Sequence, residues 1–304
     1  MLRYTKCPVC SSGKISLHLF CKDYFVSGES FELYKCASCE LIFTQGYPKE
    51  SEIARYYQSD EYISHSDTSK SFSNKLYKIA REIMLKRKRK FVEKKTGMRK
   101  GSLLDIGCGT GYFAGSMKEA GWQVTGIEVD KKAREFAAQR FKLKVLSPDQ
   151  ITFIPSKSID CITLWHVLEH FHDPLRYLSQ ISNLLKPGGV CIVALPNCSS
   201  YDAIHYGKYW AAYDVPRHLW HFQPSSFNSF LENTGFRCEE IRNLPFDAFY
   251  ISVMSEKYKG SGFSFIRGIV KGKLFFLKSM FNVKRSSSLI YILRQGAESG
   301  GRGF

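Results

Sequence analysis

The chain has 304 residues, 44% of them hydrophobic, which is enough for one large domain and a small one. Its net charge of +16 is concentrated: residues 75–100 hold twelve Lys/Arg against two acids, and residues 257–294 hold nine with no acid, so an anionic partner (nucleic acid, phosphorylated metabolite or membrane face) competes with plain solvated helix faces. No run of 18 apolar residues predicts a membrane span, "MLRYTKCPVC" lacks the pattern of a signal peptide, and the scattered cysteines do not form a secreted disulfide framework, so a cytoplasmic protein is expected.

Residues 1–48 read as a small strand-rich unit. Cys7 and Cys10 form one CxxC, Cys36 and Cys39 a second, with 25 residues between the pairs. Four thiolates in two tight turns suit tetrahedral zinc, structural rather than catalytic because no position is left open. "FELYKCASCELIFTQ" alternates as a hairpin does. Residues 49–100 read as a helical linker or lid, with Ser51 as a cap over "SEIARYYQSDEYI" and a long basic helix after it. Residues 101–295 then alternate strands with helices, which predicts an α/β, Rossmann-like, doubly wound sheet of seven strands. The tail from residue 296 is expected to fray.

The first strand of that alternation runs into "LLDIGCGTGYF". Gly107, Gly109 and Gly111 give G-x-G-x-G, and Tyr112 stands where a dinucleotide fingerprint needs its last glycine. Asp105 at the strand end suits a cofactor that carries an amine and a positive charge better than a pyrophosphate. The next strand ends in Glu128, whose carboxylate can accept from two ribose hydroxyls.

These motifs resemble the class I S-adenosylmethionine-dependent methyltransferases, over about residues 102–195. The resemblance implies that Asp105, Gly107 and Gly109 hold the methionine end, with Cys108 and Gly111 in the same loop. It implies Glu128, with Val129, for the ribose, and Asp149 or Gln150 for the adenine. Trp165 either packs beside the cofactor or belongs to the core. Asp160 reads as a structural residue at a strand start.

For the acceptor, the segment after the fourth strand is "LWHVLEH", not the (N/D)PPY-type motif of base-amine methylation. It spells H-x-x-E-H, but across a predicted strand end rather than on one helix, which argues against a zinc hydrolase. It is similar to the quinone-type O-methyltransferases, whose acid-x-x-acid-His set can hold a divalent ion; here His166, Glu169 and His170 fill those places, and the first acid has become His. Glu169 pairing within its own helix is the alternative. The N-terminal zinc module resembles that of sugar C-methyltransferases, in which a His follows the fourth strand, as His170 does. Their later "EHxxYF" element corresponds to "RHLWHF", with His218 matching and Arg217 in place of the acid. The whole arrangement looks like the bacterial zinc-ribbon methyltransferases.

Residues 198–224, rich in aromatics and His, are expected to cover the acceptor. Tyr206, Trp210, Tyr213 and Trp220 would stack on a sugar or ring. Arg217 would bind a phosphate or carboxylate, and His218 would act as general base. The alternative is a lid whose aromatics bury one another. His205 and His221 read as ordinary surface or lid residues. His170, His218 and His166 are the catalytic candidates. Residues 257–285 are basic and amphipathic, either lying on an anionic membrane, with peripheral contact at the inner membrane, or packing on the core with a solvated face. The expected reaction is O- or C-methylation of a small-molecule, glycan or lipid-linked acceptor. Competing readings are an RNA methyltransferase, whose ribbon and basic helix grip phosphates, and a non-catalytic cofactor-binding regulator. The oligomeric state is left open.

Overall fold

The computed structural model describes residues 1–57 and 72–296, with side chains from residue 81 onward in the second stretch. Seven strands make the main sheet: β4 (Ser102–Ile106), β5 (Gln123–Ile127), β6 (Lys144–Leu146), β7 (Ile159–Trp165), β8 (Leu185–Pro196), β10 (Phe236–Asn243) and β11 (Ser288–Gln295). Their order is β10-β11-β8-β7-β4-β5-β6. Strands β6, β5, β4, β7 and β8 are parallel, and β11 is antiparallel to both its neighbours. The central strands are buried on both faces, as their continuous apolar runs require. The winding direction reverses between β4 and β7, and in such sheets ligands bind beyond the carboxyl ends at that point.

Helices cover both faces. The long α1 (Phe72–Thr96) precedes the sheet. After β4 comes α2 (Tyr112–Glu119), and after β5 comes α3 (Lys131–Phe141), where the Asp130 side chain accepts the Ala133 N–H at 3.0 Å. After β7 comes α4 (Pro174–Ser182), capped by Asp173 with proline in the first turn. Asp160 is structural, as expected: it takes the N–H and hydroxyl of Ser102 and the ammonium of Lys186, tying β4 to β7 and β8. Those partners hold its carboxyl below the usual range against the opposing effect of burial.

The helix expected from Ser51 lies in part outside the described residues. Within them, Ile53–Tyr57 is a 3-10 turn begun by Lys49, whose carbonyl accepts from the N–H groups of Glu52 and Ile53. The tail expected to fray lies outside the described residues from 297 onward.

The N-terminal unit has β1 (Ile15–Lys22), β2 (Ser30–Cys36) and β3 (Ile42–Gln45), antiparallel in that order, and β2–β3 is the expected hairpin. A fourth strand, β9 (Trp220–His221), arrives from the lid and pairs with β3. Thr44 reinforces this seam: its N–H reaches Leu219 O and its hydroxyl reaches His218 O at 2.8 Å. Cys7, Leu41, Phe43 and Tyr47 share one core with Leu164, Leu168 and Phe222. Ribbon, lid and sheet therefore pack together.

Between β10 and β11 the chain inserts two helices, α7 (Asp247–Tyr258) and α8 (Ser264–Phe281); α5 (Tyr201–Tyr206) and α6 (Pro224–Leu231) flank the lid.

Candidate active site

The glycine loop turns over the end of β5. Gly107, Gly109 and Gly111 have φ of 67°, 54° and 80°. The N–H groups of Gly107 and Cys108 both donate to Ile127 O, at 2.7 and 3.0 Å. A Cβ on Gly107 would lie 2.4 Å from Val167, and one on Gly111 2.7 Å from Ala137, so neither position has room for a side chain. Gly109 instead faces open space. Cys108 turns its sulfur onto Gly126, where a Cβ would meet it at 2.6 Å.

Two carboxylates flank the loop. Asp105 is buried at the end of β4 and accepts from the Thr163 hydroxyl at 2.7 Å. Burial pushes its carboxyl up to about 7, against the Thr163 hydrogen bond and the Lys88 ammonium. Glu128 accepts from the N–H of Gly109 at 2.8 Å and from that of Asp130 at 2.9 Å. Val129 beside it is 77% exposed. After β6, Gln150 folds back to accept from Ser147 at 3.0 Å, whereas Asp149 is exposed; of the two adenine candidates, Asp149 is the one left uncommitted.

Trp165 ends β7, edge-on to Phe113 at 5.5 Å. The ammonium of Lys88, from α1, sits 4.2 Å from the Trp165 ring centre. Burial lowers its pKa, while Asp247 and Asp105 oppose that. Lys88 thus brings a cation to the carboxylate end of the loop. In the sequence it is one lysine of a basic run, and nothing there marks it out.

Beyond β7, His166 takes φ of 57° and bridges two acids: Nε2 lies 2.9 Å from Asp247 and Nδ1 3.5 Å from Glu169. Burial alone would lower its pKa, but Asp247 and Glu169 outweigh that and raise it to about 9. Its protonated form therefore stabilises the fold fully below its ordinary value of 6.5, and this contribution is lost as pH rises through about 9. His166 is an ion-paired link between this loop and α7.

Glu169 is 0% exposed, and among the described residues neither of its oxygens accepts a hydrogen bond. Burial would raise its pKa, yet the contact with His166 and the neighbouring His218 and His170 keep it below the ordinary value. Nδ1 of His170 lies 3.1 Å from the Arg217 carbonyl and 3.1 Å from the Tyr57 hydroxyl. Nδ1 of His218 lies 2.9 Å from the Ala212 carbonyl. A carbonyl only accepts, so these contacts place the proton on Nδ1 and leave each Nε2 with a free lone pair. Glu169, His170 and His218 each offer one ligand atom, all within 4.8 Å of one another. Burial and the neighbouring His218 push His170 down to about 4, so it is neutral at pH 7. A buried carboxylate between two oriented imidazoles can take a proton and stabilise the cation formed, or hold a divalent ion.

The lid residues expected to touch the acceptor are placed otherwise. Tyr206 is buried, with its hydroxyl on Glu256 at 3.1 Å. Trp210 is buried, with its indole N–H on Asp202 at 2.9 Å. Tyr213 packs edge-on against Trp210 and His221. Arg217 is 2% exposed and makes four hydrogen bonds, two to Asp214 and one each to Asp23 and the Tyr56 carbonyl. In this structure the four residues follow the alternative reading, buried in the packing of their own segment, and Arg217 ties that segment to Asp23 and Tyr56 of the N-terminal unit. Trp220 joins them, donating to Phe171 O. His221 is buried against Thr44 rather than on the surface, and His205 is exposed beside Lys271.

At the ribbon tip, Cys7 and Cys39 sulfurs are 3.5 Å apart and those of Cys10 and Cys36 3.6 Å apart. A tetrahedral zinc with Zn–S of about 2.3 Å spaces its sulfurs by about 3.8 Å. The Ser38 N–H points at the Cys36 sulfur, as suits a thiolate. The donor set fits the metal.

A methyltransferase-domain family profile matches residues 77–241, more than half of the chain. The chain belongs to the S-adenosylmethionine-dependent methyltransferases. This methyltransferase is 27% identical over 172 residues to a ubiquinone biosynthesis O-methyltransferase of Actinobacillus pleuropneumoniae, covering 51% of this chain and 74% of that one. It is 27% identical over 158 residues to the protein of the same description from Xanthomonas axonopodis, covering 48% and 66%. Among solved structures, the 1,6-didemethyltoxoflavin-N1-methyltransferase of Burkholderia thailandensis aligns with 86% of this chain and 98% of its own, at a TM-score of 0.51 and 15% identity, which speaks to the fold. The loop fits the methyl donor: Gly109 leaves open space where the backbone must approach a ligand, and Asp105 and Glu128 supply carboxylates at its two ends.

Proposed function

We propose that this methyltransferase methylates an oxygen or carbon of a small-molecule, glycan or lipid-linked acceptor, with His218 as the base that removes the acceptor's proton and His170 beside it as the second base candidate. The observation that carries this is the Glu169–His170–His218 cluster beyond β7, with Glu169 and His218 buried, His170 half-buried and His218 supplied by the 198–224 segment. S-adenosylmethionine supplies a methyl group activated by a cationic sulfur. Asp105 and the glycine loop would hold its methionine end, Glu128 and Val129 its ribose, and Asp149 its adenine. The chain's own work is alignment, exclusion of water and proton removal. His218 takes the proton on Nε2 while its Nδ1–H stays on Ala212 O, and Glu169 stabilises the imidazolium. The names of the two O-methyltransferase relatives favour oxygen as the accepting atom. The four cysteines hold a structural zinc in this reading.

The test is methyl transfer from labelled S-adenosylmethionine into a fractionated extract. Label is expected in the small-molecule or lipid fraction. His218→Asn and His170→Asn each lower the rate by roughly 10²–10⁴-fold without weakening cofactor binding. Label in RNA, or unchanged rates in both variants, refutes the proposal.

A further inference from the structure

Helix α8 meets the body through two glycines, a serine and one phenylalanine. Gly268, Gly272, Phe275 and Ser279, spaced i, i+4, i+7 and i+11, form its buried stripe. A Cβ on Gly268 would lie 2.4 Å from the Val253 Cα, and one on Gly272 2.7 Å from the Phe249 Cα. The backbones of α7 and α8 therefore touch, which only glycine at these two positions allows.

The large apolar side chains point the other way. Phe265, Ile266, Val270, Leu277, Met280 and Phe281 are all exposed, Phe281 by 93%. At 100° per residue they spread over nearly a half-circle, from Phe265 beside the glycine stripe round to Phe281 on the far side. Phe263, just before the helix, extends the face and is 85% exposed. Arg267, Lys271 and Lys278 run along one edge of it, exposed Lys273 stands among the apolar side chains, where its long stem lets the ammonium snorkel to the headgroups, and residues 257–294 contain no acid to balance these cations. The acid that meets this edge is Glu256 of α7, which is buried against Lys271. A water-facing helix shows its charges outward and hides its apolar stripe; α8 exposes its large apolar side chains together with its charges.

We propose that α7–α8 docks on an anionic lipid bilayer, with α8 lying in the plane of the interface. Its apolar half-circle enters the acyl boundary and its Lys/Arg edge meets the headgroup phosphates. With 18 residues α8 spans about 27 Å. No helix of the described residues is long and apolar enough to cross a membrane, so the helix lies on the bilayer rather than through it. A second copy is a poor occupant of this face, because a two-fold contact would set its unbalanced cations against one another. The proposal does not depend on the identity of the methyl acceptor.

The experiment is sedimentation of the whole protein with vesicles of phosphatidylcholine mixed with phosphatidylglycerol, and with phosphatidylcholine alone. Binding is expected to the anionic vesicles and to weaken as salt is added. The triple variant Ile266→Ser, Val270→Ser, Leu277→Ser, exposed at all three positions, loses at least about tenfold in binding while keeping its melting temperature and cofactor affinity. Failure of the unaltered protein to sediment with anionic vesicles overturns the proposal. So does unchanged binding by the triple variant, or a dimer in analytical ultracentrifugation that the same substitutions abolish.

Discussion

Asp105 is held by its surroundings in a costly state. Its carboxyl titrates near 7 in the fold and at about 3.8 when unfolded, so the folded protein binds the proton more tightly. The ionised form is penalised progressively from pH 3.8 to 7, and fully above that. At about 1.4 kcal/mol per pKa unit the penalty is bounded near 4 kcal/mol. Asp105→Asn keeps an acceptor for the Thr163 hydroxyl. It is expected to raise the melting temperature of the unliganded protein by several degrees at pH 8 and little at pH 4, while weakening S-adenosylmethionine binding. Calorimetry at the two pH values checks both halves; no gain at pH 8 counts against the buried carboxylate. At this scale the sequence was legible where spacing alone implies a role: the G-x-G-x-G turn, Asp105 and Glu128 are local. It left two readings open at Trp210 and Arg217, because an aromatic or an arginine serves a packed lid as well as a ligand. Asp202 and Asp214 sit in the same segment as the side chains they bind, but Asp23 comes from the other end of the chain, and no local pattern shows that it reaches Arg217. Glu169 was visible in "HVLEH", but its complete burial was not.

Among the elements, the α7–α8 pair shows how a period can be read correctly while its inward face stays hidden. Residues 257–285 do contain an amphipathic helix. Apolar spacing suggests the Phe/Ile/Leu side as the packed one, yet the buried stripe is two glycines and a serine around a single phenylalanine. A single methyl group tests this arrangement. Gly268→Ala gains at most about 1 kcal/mol of helix propensity, but sets a Cβ into the Val253 backbone, where overpacking costs about 1–3 kcal/mol. The variant is expected to melt lower than the parent; a higher melting temperature would show that the helices do not meet there. The strand–helix alternation of residues 102–195 was legible throughout, because buried parallel strands have little freedom in composition. The 3-10 turn at Ile53–Tyr57 was not, because its start depends on the Lys49 carbonyl rather than on a capping side chain.

For the whole molecule, the ribbon and the lid share a sheet, so metal at the cysteines is expected to matter at a distance. Removal of zinc by a chelator should raise amide exchange at Leu219 and in β9 as well as around the cysteines, and should lower methyl transfer. Exchange confined to the cysteine loops would mean that β3 and β9 hold without the metal. The sequence placed a boundary at residue 48 and a lid at 198–224, and no local pattern could join them: the pairing of Ile42 with His221 is a contact between distant parts of the chain.

That pairing also sets an order of events during synthesis. The first three ribbon strands leave the ribosome early, but the edge of β3 has no partner until residue 221 has been made. At about 5–20 residues per second, on the order of ten to forty seconds pass with a short, hydrophobic strand edge open to other chains. Early zinc capture would fix the ribbon tip in that interval, but only the arrival of Trp220 and His221 closes the edge. The nascent protein is therefore most exposed to misassociation in the span between its first cysteine pairs and its lid.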